Sequence, residues 1–154
     1  VPLLLKKEKL HKVVTEKLRK KPKPLQLTEW KKFVNIIHKE NKPKTKIALV
    51  GKYTTLTDSY LSVVEALKHA GAANKCEVDI KWIEAEKIED NSPSQYLRGM
   101  DGILIPGGFG DRGIEGKILG AKYAREHDIP YLGLCLGMHI AVSEYGRKIG
   151  RAHV

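Results

Sequence analysis

Near the end of the chain stand Gly133, Leu134, Cys135, Leu136 and Gly137. The apolar run Ile129, Pro130, Tyr131, Leu132 leads into them, and a helix-like run over residues 138–145 leads out. This reads as a strand, a tight turn with one cysteine between two glycines, then a helix. A sharp strand-to-helix turn forces strained angles on its apex residue, and small neighbours let the chain fold back without a Cβ clash. The apex sulfur then sits at a helix N-terminus, where free N–H groups and the macrodipole favour an anion. Such a turn is a nucleophile elbow with sulfur in place of the serine oxygen, suited to attack of a thiolate on a carbonyl carbon. A lone cysteine more often packs as a small hydrophobe. Glycines on both sides and the strand–helix context point instead to a nucleophile, with the N–H of Leu136 placed to help bind an oxyanion.

The stretch before the elbow sets its surroundings. Ile47 to Gly51 is a buried strand, residues 58–70 a helix with Tyr60, Val63, Val64 and Leu67 inward, ended by Gly71. Val78, Ile80 and Trp82 alternate as a strand facing one side would. Residues 85–99 are polar and weakly helical, 101–105 a third strand, 115–127 a helix, and 131–134 the strand that enters the elbow. Strands alternating with helices predict an α/β fold with a doubly wound, mostly parallel sheet, whose ligands gather at the C-terminal strand ends. A second motif falls at such an end: Pro106, Gly107, Gly108, Phe109, Gly110, Asp111, Arg112, Gly113 follow the third strand. Glycine there lets backbone N–H groups approach a ligand, and the N–H of Gly108 is the natural second oxyanion donor beside that of Leu136.

The first 45 residues follow a different pattern. Residues 6–21 form an amphipathic helix with Leu10, Val13, Val14 and Leu18 on one face. Pro22, Lys23 and Pro24 end it, and Thr28 is a candidate N-cap for a second helix carrying Trp30, Phe33, Val34 and Ile37. Residues 1–46 hold 15 Lys and Arg against 4 Asp and Glu, net +11, whereas residues 47–154 hold 13 against 14, net −1. The charge belongs to this arm, which lacks a nucleic-acid motif and reads as a linker, not as a nucleic-acid binder. No run of about 18 apolar residues could span a membrane. The short apolar start, without a basic stretch before it, is not a signal peptide, and the missing initiator Met suggests a cut N-terminus. Two cysteines, Cys76 and Cys135, give no disulfide framework, and a free thiol fits a reducing, cytoplasmic compartment. Cys76 opens a strand and is expected to be inert. His69 and His127 fall near helix ends, where a cation is favoured. His139 lies one turn beyond Cys135 on the same helix and is poorly aimed to act as its base.

These motifs together resemble the CTP synthase family. The resemblance is carried by Lys46 to Tyr53, by Asp58, Ser59, Tyr60 with Glu65 to His69, by Pro106 to Gly110 with Arg112, Gly113, Ile114, Glu115, Gly116, and by Tyr131 to Met138. Val1 to Leu5 resemble the end of that family's synthetase domain. The elbow alone would fit any class I glutamine amidotransferase. The resemblance implies a helical linker and synthetase end over residues 1–45 and the front of a glutaminase domain over 46–148. It implies an enzyme whose synthetase domain, using ATP and Mg²⁺, phosphorylates UTP. The glutaminase domain hydrolyses L-glutamine and passes ammonia on to make CTP; GTP activates it, and the enzyme is a homotetramer. By position Cys135 is the nucleophile that forms a glutamyl thioester. Gly108, Leu136, Gly137, Met138 and His139 fall at glutamine-binding positions, and Arg112, Gly113 and Glu115 in a loop linked to GTP activation.

Two departures stand out. The family carries Gln where this chain has His139, which changes the amide pattern offered to glutamine and predicts weaker binding. Residues 149–154 leave the resemblance and correspond to the translated start of a common sequencing adapter, so they are expected to be a non-native tail and His153 is not taken as the base. The family's histidine base and its carboxylate lie far downstream of the elbow, and neither is expected in this chain. Its sheet also continues there, so strand edges and apolar faces are expected to be left uncovered. A different synthetase's glutaminase and a non-catalytic binding module on the same scaffold are the competing readings.

Overall fold

The computed structural model describes residues 1–154 apart from Pro22, Glu40, residues 53–56, Phe109 and residues 151–154, and apart from the side chain of Thr57. The Pro22 break, Tyr53 and Phe109 of the recognised motifs, and His153 therefore lie outside the described residues. The elements run α1 (Pro2–Lys7), α2 (Leu10–Lys17), α3 (Thr28–His38), β1 (Lys44–Gly51), a 3₁₀ turn (Thr57–Tyr60), α4 (Leu61–Ala73), β2 (Glu77–Glu84), α5 (Ala85–Asp90), α6 (Pro93–Leu97), β3 (Gly102–Ile105), α7 (Ile114–Glu126), β4 (Tyr131–Gly133) and α8 (Leu136–Lys148).

The four strands form one sheet in the order β2-β1-β3-β4, and each neighbouring pair is parallel. The chain therefore moves outward from β1 to β2, then returns past β1 to β3. The β1–β3 boundary is a topological switch point, where crevices open at the C-terminal strand ends. The α/β fold and the parallel, doubly wound order agree with the pattern of the sequence.

Strand periodicity divides the apolar residues between two faces. Ala48, Val50, Ile83, Ile103 and Ile105 pack with Ile88, Leu97, Ile118, Ala121 and Ile140 from the helices on one side. Leu49, Leu104 and Tyr60 form the other cluster, with Ile47, Val63, Leu67, Ile80 and Trp82 against them. The β2 strand thus buries Ile83 on the face opposite Trp82, instead of presenting one apolar face only. The polar stretch after β2 holds two short helices, whose Ile88 and Leu97 are fully buried core residues. Helices of six and five residues are too short for their apolar residues, Ala85 and Ile88 in one and Tyr96 and Leu97 in the other, to mark a period.

Other boundaries shift for local reasons. Gly71 does not stop α4; it lies inside the helix, buried, where a Cβ would come within 2.9 Å of Val78 Cγ2, and the helix ends at Asn74. Thr28 is the first residue of α3, and the cap position falls on Leu27 with no side-chain cap. The expected single N-terminal helix is two, broken where Lys9 takes a left-handed φ of 56°. Its apolar face stays open: Leu10, Val13, Val14 and Leu18 are exposed. α3 packs on α4, with the Phe33 ring edge-on to His69 at 4.7 Å. At the other end, Met138, Val142, Tyr145 and Ile149 follow one another along α8 as an exposed apolar stripe.

Candidate active site

β4 is three residues long and ends at Gly133, and α8 starts at Leu136. Only Leu134 and Cys135 make the reversal. Cys135 occupies the N-cap position with φ 53° and ψ −105°, a left-handed φ that a side-chain-bearing residue holds at a cost of about 1–3 kcal/mol. The surroundings impose it. Leu134 N–H donates to the Ile105 carbonyl at 2.9 Å, tying the turn to β3. Gly137 N–H donates to the Leu134 carbonyl at 3.0 Å, and Met138 N–H to that of Cys135 at 3.0 Å. The Tyr131 hydroxyl, on β4, donates to the Gly137 carbonyl at 2.6 Å.

Both flanking glycines are needed for a steric reason. A Cβ at Gly133 would run into the Gly137 carbonyl group, and one at Gly137 into the carbonyl oxygen of Ile105. Helix and strand backbones touch here, which brings α8 close enough to β4 for so short a turn. The Cys135 thiol is left exposed at the start of α8. It points its Cβ at the glycine-rich loop: a Cβ added at Gly107 would lie 3.5 Å from that of Cys135. One added at Gly108 would lie 3.8 Å from Leu136 Cδ2. The sequence pointed to Gly108 and not to Gly107, although both stand in the same loop; a glycine pair after a strand carries no mark of which member meets the cysteine.

The backbone N–H groups of Gly108 and Leu136 donate to no backbone acceptor among the described residues. Met138 and His139 are exposed in the first turn of α8. The His139 backbone N–H leans on the Cys135 carbonyl at 3.4 Å, while its ring makes no hydrogen bond among the described residues. His127 is taken up elsewhere, stacked on the Tyr123 ring at 3.9 Å with Nδ1 2.9 Å from the Tyr123 carbonyl. Neither it nor His69, against Phe33, faces the elbow as a base.

The loop residues do not all converge on the thiol. Gly113 takes φ 74° as the N-cap of α7 and abuts Ala85. Arg112 turns to Glu86, 3.0 Å from Nε to Oε1. Glu115 forms a two-pronged pair with Arg147, both contacts 2.7 Å, near the far end of α8. That hydrogen bonding holds the Glu115 carboxyl below the usual carboxylate range. The same loop rests on α5 through Gly116, whose N–H donates to Glu89 Oε1 at 2.9 Å. Next to it Lys117 is only 2% exposed; burial, then the charge of Lys52, push its ammonium pKa down, with Glu89 opposing. Among the described residues no cluster of three or more His, Cys, Asp or Glu could hold a metal ion, and no helix is long and apolar enough to cross a membrane.

Comparison with known proteins agrees with this geometry. The family described as "Glutamine amidotransferase class-I" matches residues 55–154. A CTP synthase of Clostridium beijerinckii is 54% identical over 149 residues, covering 97% of this chain and 28% of that protein. CTP synthases of Caldanaerobacter subterraneus and Bacillus subtilis are 52% and 49% identical, again over 97% of this chain and 28% of theirs. The chain thus spans 28% of the length of these relatives. Among solved structures, the glutaminase domain of a Trypanosoma brucei CTPS with bound acivicin superposes with a TM-score of 0.63 at 41% identity, covering 68% of this chain and 41% of that one. With its cysteine elbow, its glycine loop and its parallel sheet, the chain belongs to the class I glutamine amidotransferase family.

Proposed function

We propose that these residues form part of the glutamine-hydrolysing half of a CTP synthase. The observation that carries the reading is the strained apex at Cys135, with the N–H groups of Gly108 and Leu136 donating to no backbone acceptor among the described residues. The Cys135 thiolate attacks the side-chain carboxamide carbon of L-glutamine, forming a C–S bond and moving the carbonyl electron pair onto oxygen. Gly108 and Leu136 hold that oxyanion. Collapse breaks the C–N bond and, with one proton delivered to nitrogen, releases ammonia and leaves a γ-glutamyl thioester. Water then attacks the thioester, returning the thiolate and glutamate.

Gly137 closes the elbow behind the substrate, and Met138 and His139 border the carboxamide. The proton relay needs a histidine base and a carboxylate that orients it. In this reading both come from the enzyme's remaining sequence, as do the synthetase sites for UTP, ATP and Mg²⁺. The whole enzyme is a cytoplasmic homotetramer. GTP activates through the loop of Arg112, Gly113 and Glu115, and the existing pairs with Glu86 and Arg147 have to exchange for either side chain to meet it. The test is made in the complete enzyme. Cys135→Ala is expected to abolish glutamine-dependent CTP formation and labelling by a glutamine-analogue electrophile, while CTP formation from added ammonia persists. Glutaminase activity surviving in Cys135→Ala would overturn the reading.

A further inference from the structure

We propose that Tyr131 is a positioning residue for the oxyanion donor of the elbow. The inference rests on the thioester reading above and extends it. Tyr131 opens β4, and its half-buried ring lies behind the turn, beside Ile129 and Ala141. Its hydroxyl crosses the reversal to reach the Gly137 carbonyl at 2.6 Å. That bond joins the strand entering the elbow to the helix leaving it, over a gap of six residues.

The acceptor matters more than the length. The Gly137 carbonyl belongs to the same peptide plane as the Met138 N–H, which donates to the Cys135 carbonyl at 3.0 Å. Tyr131 therefore pulls on one end of a peptide whose other end holds the backbone of the nucleophile. Between them sits Leu136, whose N–H donates to no backbone acceptor among the described residues and in this reading serves the oxyanion. A donor contributes to catalysis through alignment with the transition-state oxygen more than with the ground-state carbonyl. Without the phenol, the strained φ of Cys135 is still held by the Leu134 N–H bond to Ile105 and by the glycine backbone contacts, but the Gly137 peptide loses its one side-chain tie to β4 among the described residues. Burial raises the Tyr131 pKa to about 12, so the hydroxyl remains a donor throughout any working pH range. No other side chain hydrogen-bonds the Gly137 carbonyl among the described residues.

The experiment uses the complete enzyme with Tyr131→Phe, which keeps the ring and deletes the donor. The expected result is a fall in kcat for glutamine hydrolysis of about ten-fold, less than the about 100- to 1,000-fold cost of removing one oxyanion donor outright, because the donor is misaligned and not lost. KM for glutamine stays within about two-fold, because the loss is confined to the transition state. Ammonia-dependent CTP formation and the rate at which iodoacetamide alkylates Cys135 stay unchanged; a merely structural lesion would lower both. A second variant carries 3,5-difluorotyrosine at position 131, whose phenol ionises well below that of tyrosine. It is expected to lose kcat as pH rises through the new phenol pKa, where the parent enzyme shows no such limb. Parent-like kcat in Tyr131→Phe, or no new alkaline limb in the fluorinated enzyme, overturns the inference. Cys135→Ala, run alongside, separates this from failure of the thioester reading itself.

Discussion

Gly137→Ala tests the steric logic of the elbow most directly. The new methyl would be driven into the carbonyl oxygen of Ile105 and come within 3.2 Å of its Cβ. The obstacle is strand backbone, and that carbonyl is already committed to Leu134 N–H. It cannot swing aside as a flexible side chain would. Real Cβ atoms keep about 3 Å from such an oxygen, so the first turn of α8 must back off β3 by about 1 Å. That turn carries the Leu136 N–H and the apex thiol. A misplacement of about 1 Å at reacting groups costs about 100-fold in rate. The assay is glutamine-dependent against ammonia-dependent CTP formation in the complete enzyme, with labelling of Cys135 by a glutamine analogue. The first is expected to fall about 100-fold with the second unchanged. Gly120→Ala is the control: it faces the same Ile105, but its Cβ would meet Cδ1 at 3.9 Å, an ordinary contact, and activity should hold. Glutaminase activity within about three-fold of the parent in Gly137→Ala would refute the argument that backbone contact sets the elbow.

Other predictions follow from the packing. Ile88→Ala, in the short α5, is expected to cost about 2–5 kcal/mol because Ile88 is fully buried, read as a lowered urea midpoint of the glutaminase region; a loss under about 1 kcal/mol would deny it a core role. Glu115→Gln removes the tie between α7 and α8. The depressed Glu115 pKa means the pair contributes fully above the ordinary Glu pKa and is lost as pH falls through the folded value. Since Glu115 is 57% exposed, the effect is under about 1 kcal/mol. Hydrogen-exchange protection in the last turn of α8 should drop in the variant at about pH 7 and match the parent at about pH 2. His139→Gln is expected to lower KM for glutamine with kcat little changed; an unchanged KM would remove His139 from the substrate site.

The elbow was legible because its chemistry demands residue types that are rare together. One cysteine between two glycines, after an apolar run and before a helix, leaves few other structures. The apolar strands were legible for a similar reason: Ile47 to Val50 and Ile103 to Ile105 are runs long enough to mark buried parallel strands. Ile88 and Leu97 were not, since each anchors a helix of six or five residues with no repeat to detect. Gly71 misled because glycine is a good helix terminator in the abstract. Here it is a contact residue, where β2 passes too close for a side chain.

Sequence alone determined the cysteine turn between two glycines, the glycine loop, the parallel α/β order and the split between a basic arm and a near-neutral domain. These are set by residue identity and by spacing along the chain, which local sterics and periodicity convert directly into structure. Tertiary structure decided the rest. It chose Gly107 as the glycine facing the Cys135 Cβ, turned Arg112 and Glu115 toward Glu86 and Arg147, and brought the Tyr131 hydroxyl onto the Gly137 carbonyl. The physical reason is that such contacts join side chains and backbone through space. They depend on how closely β3, β4 and α8 pack, and no pattern along one strand or helix records that distance.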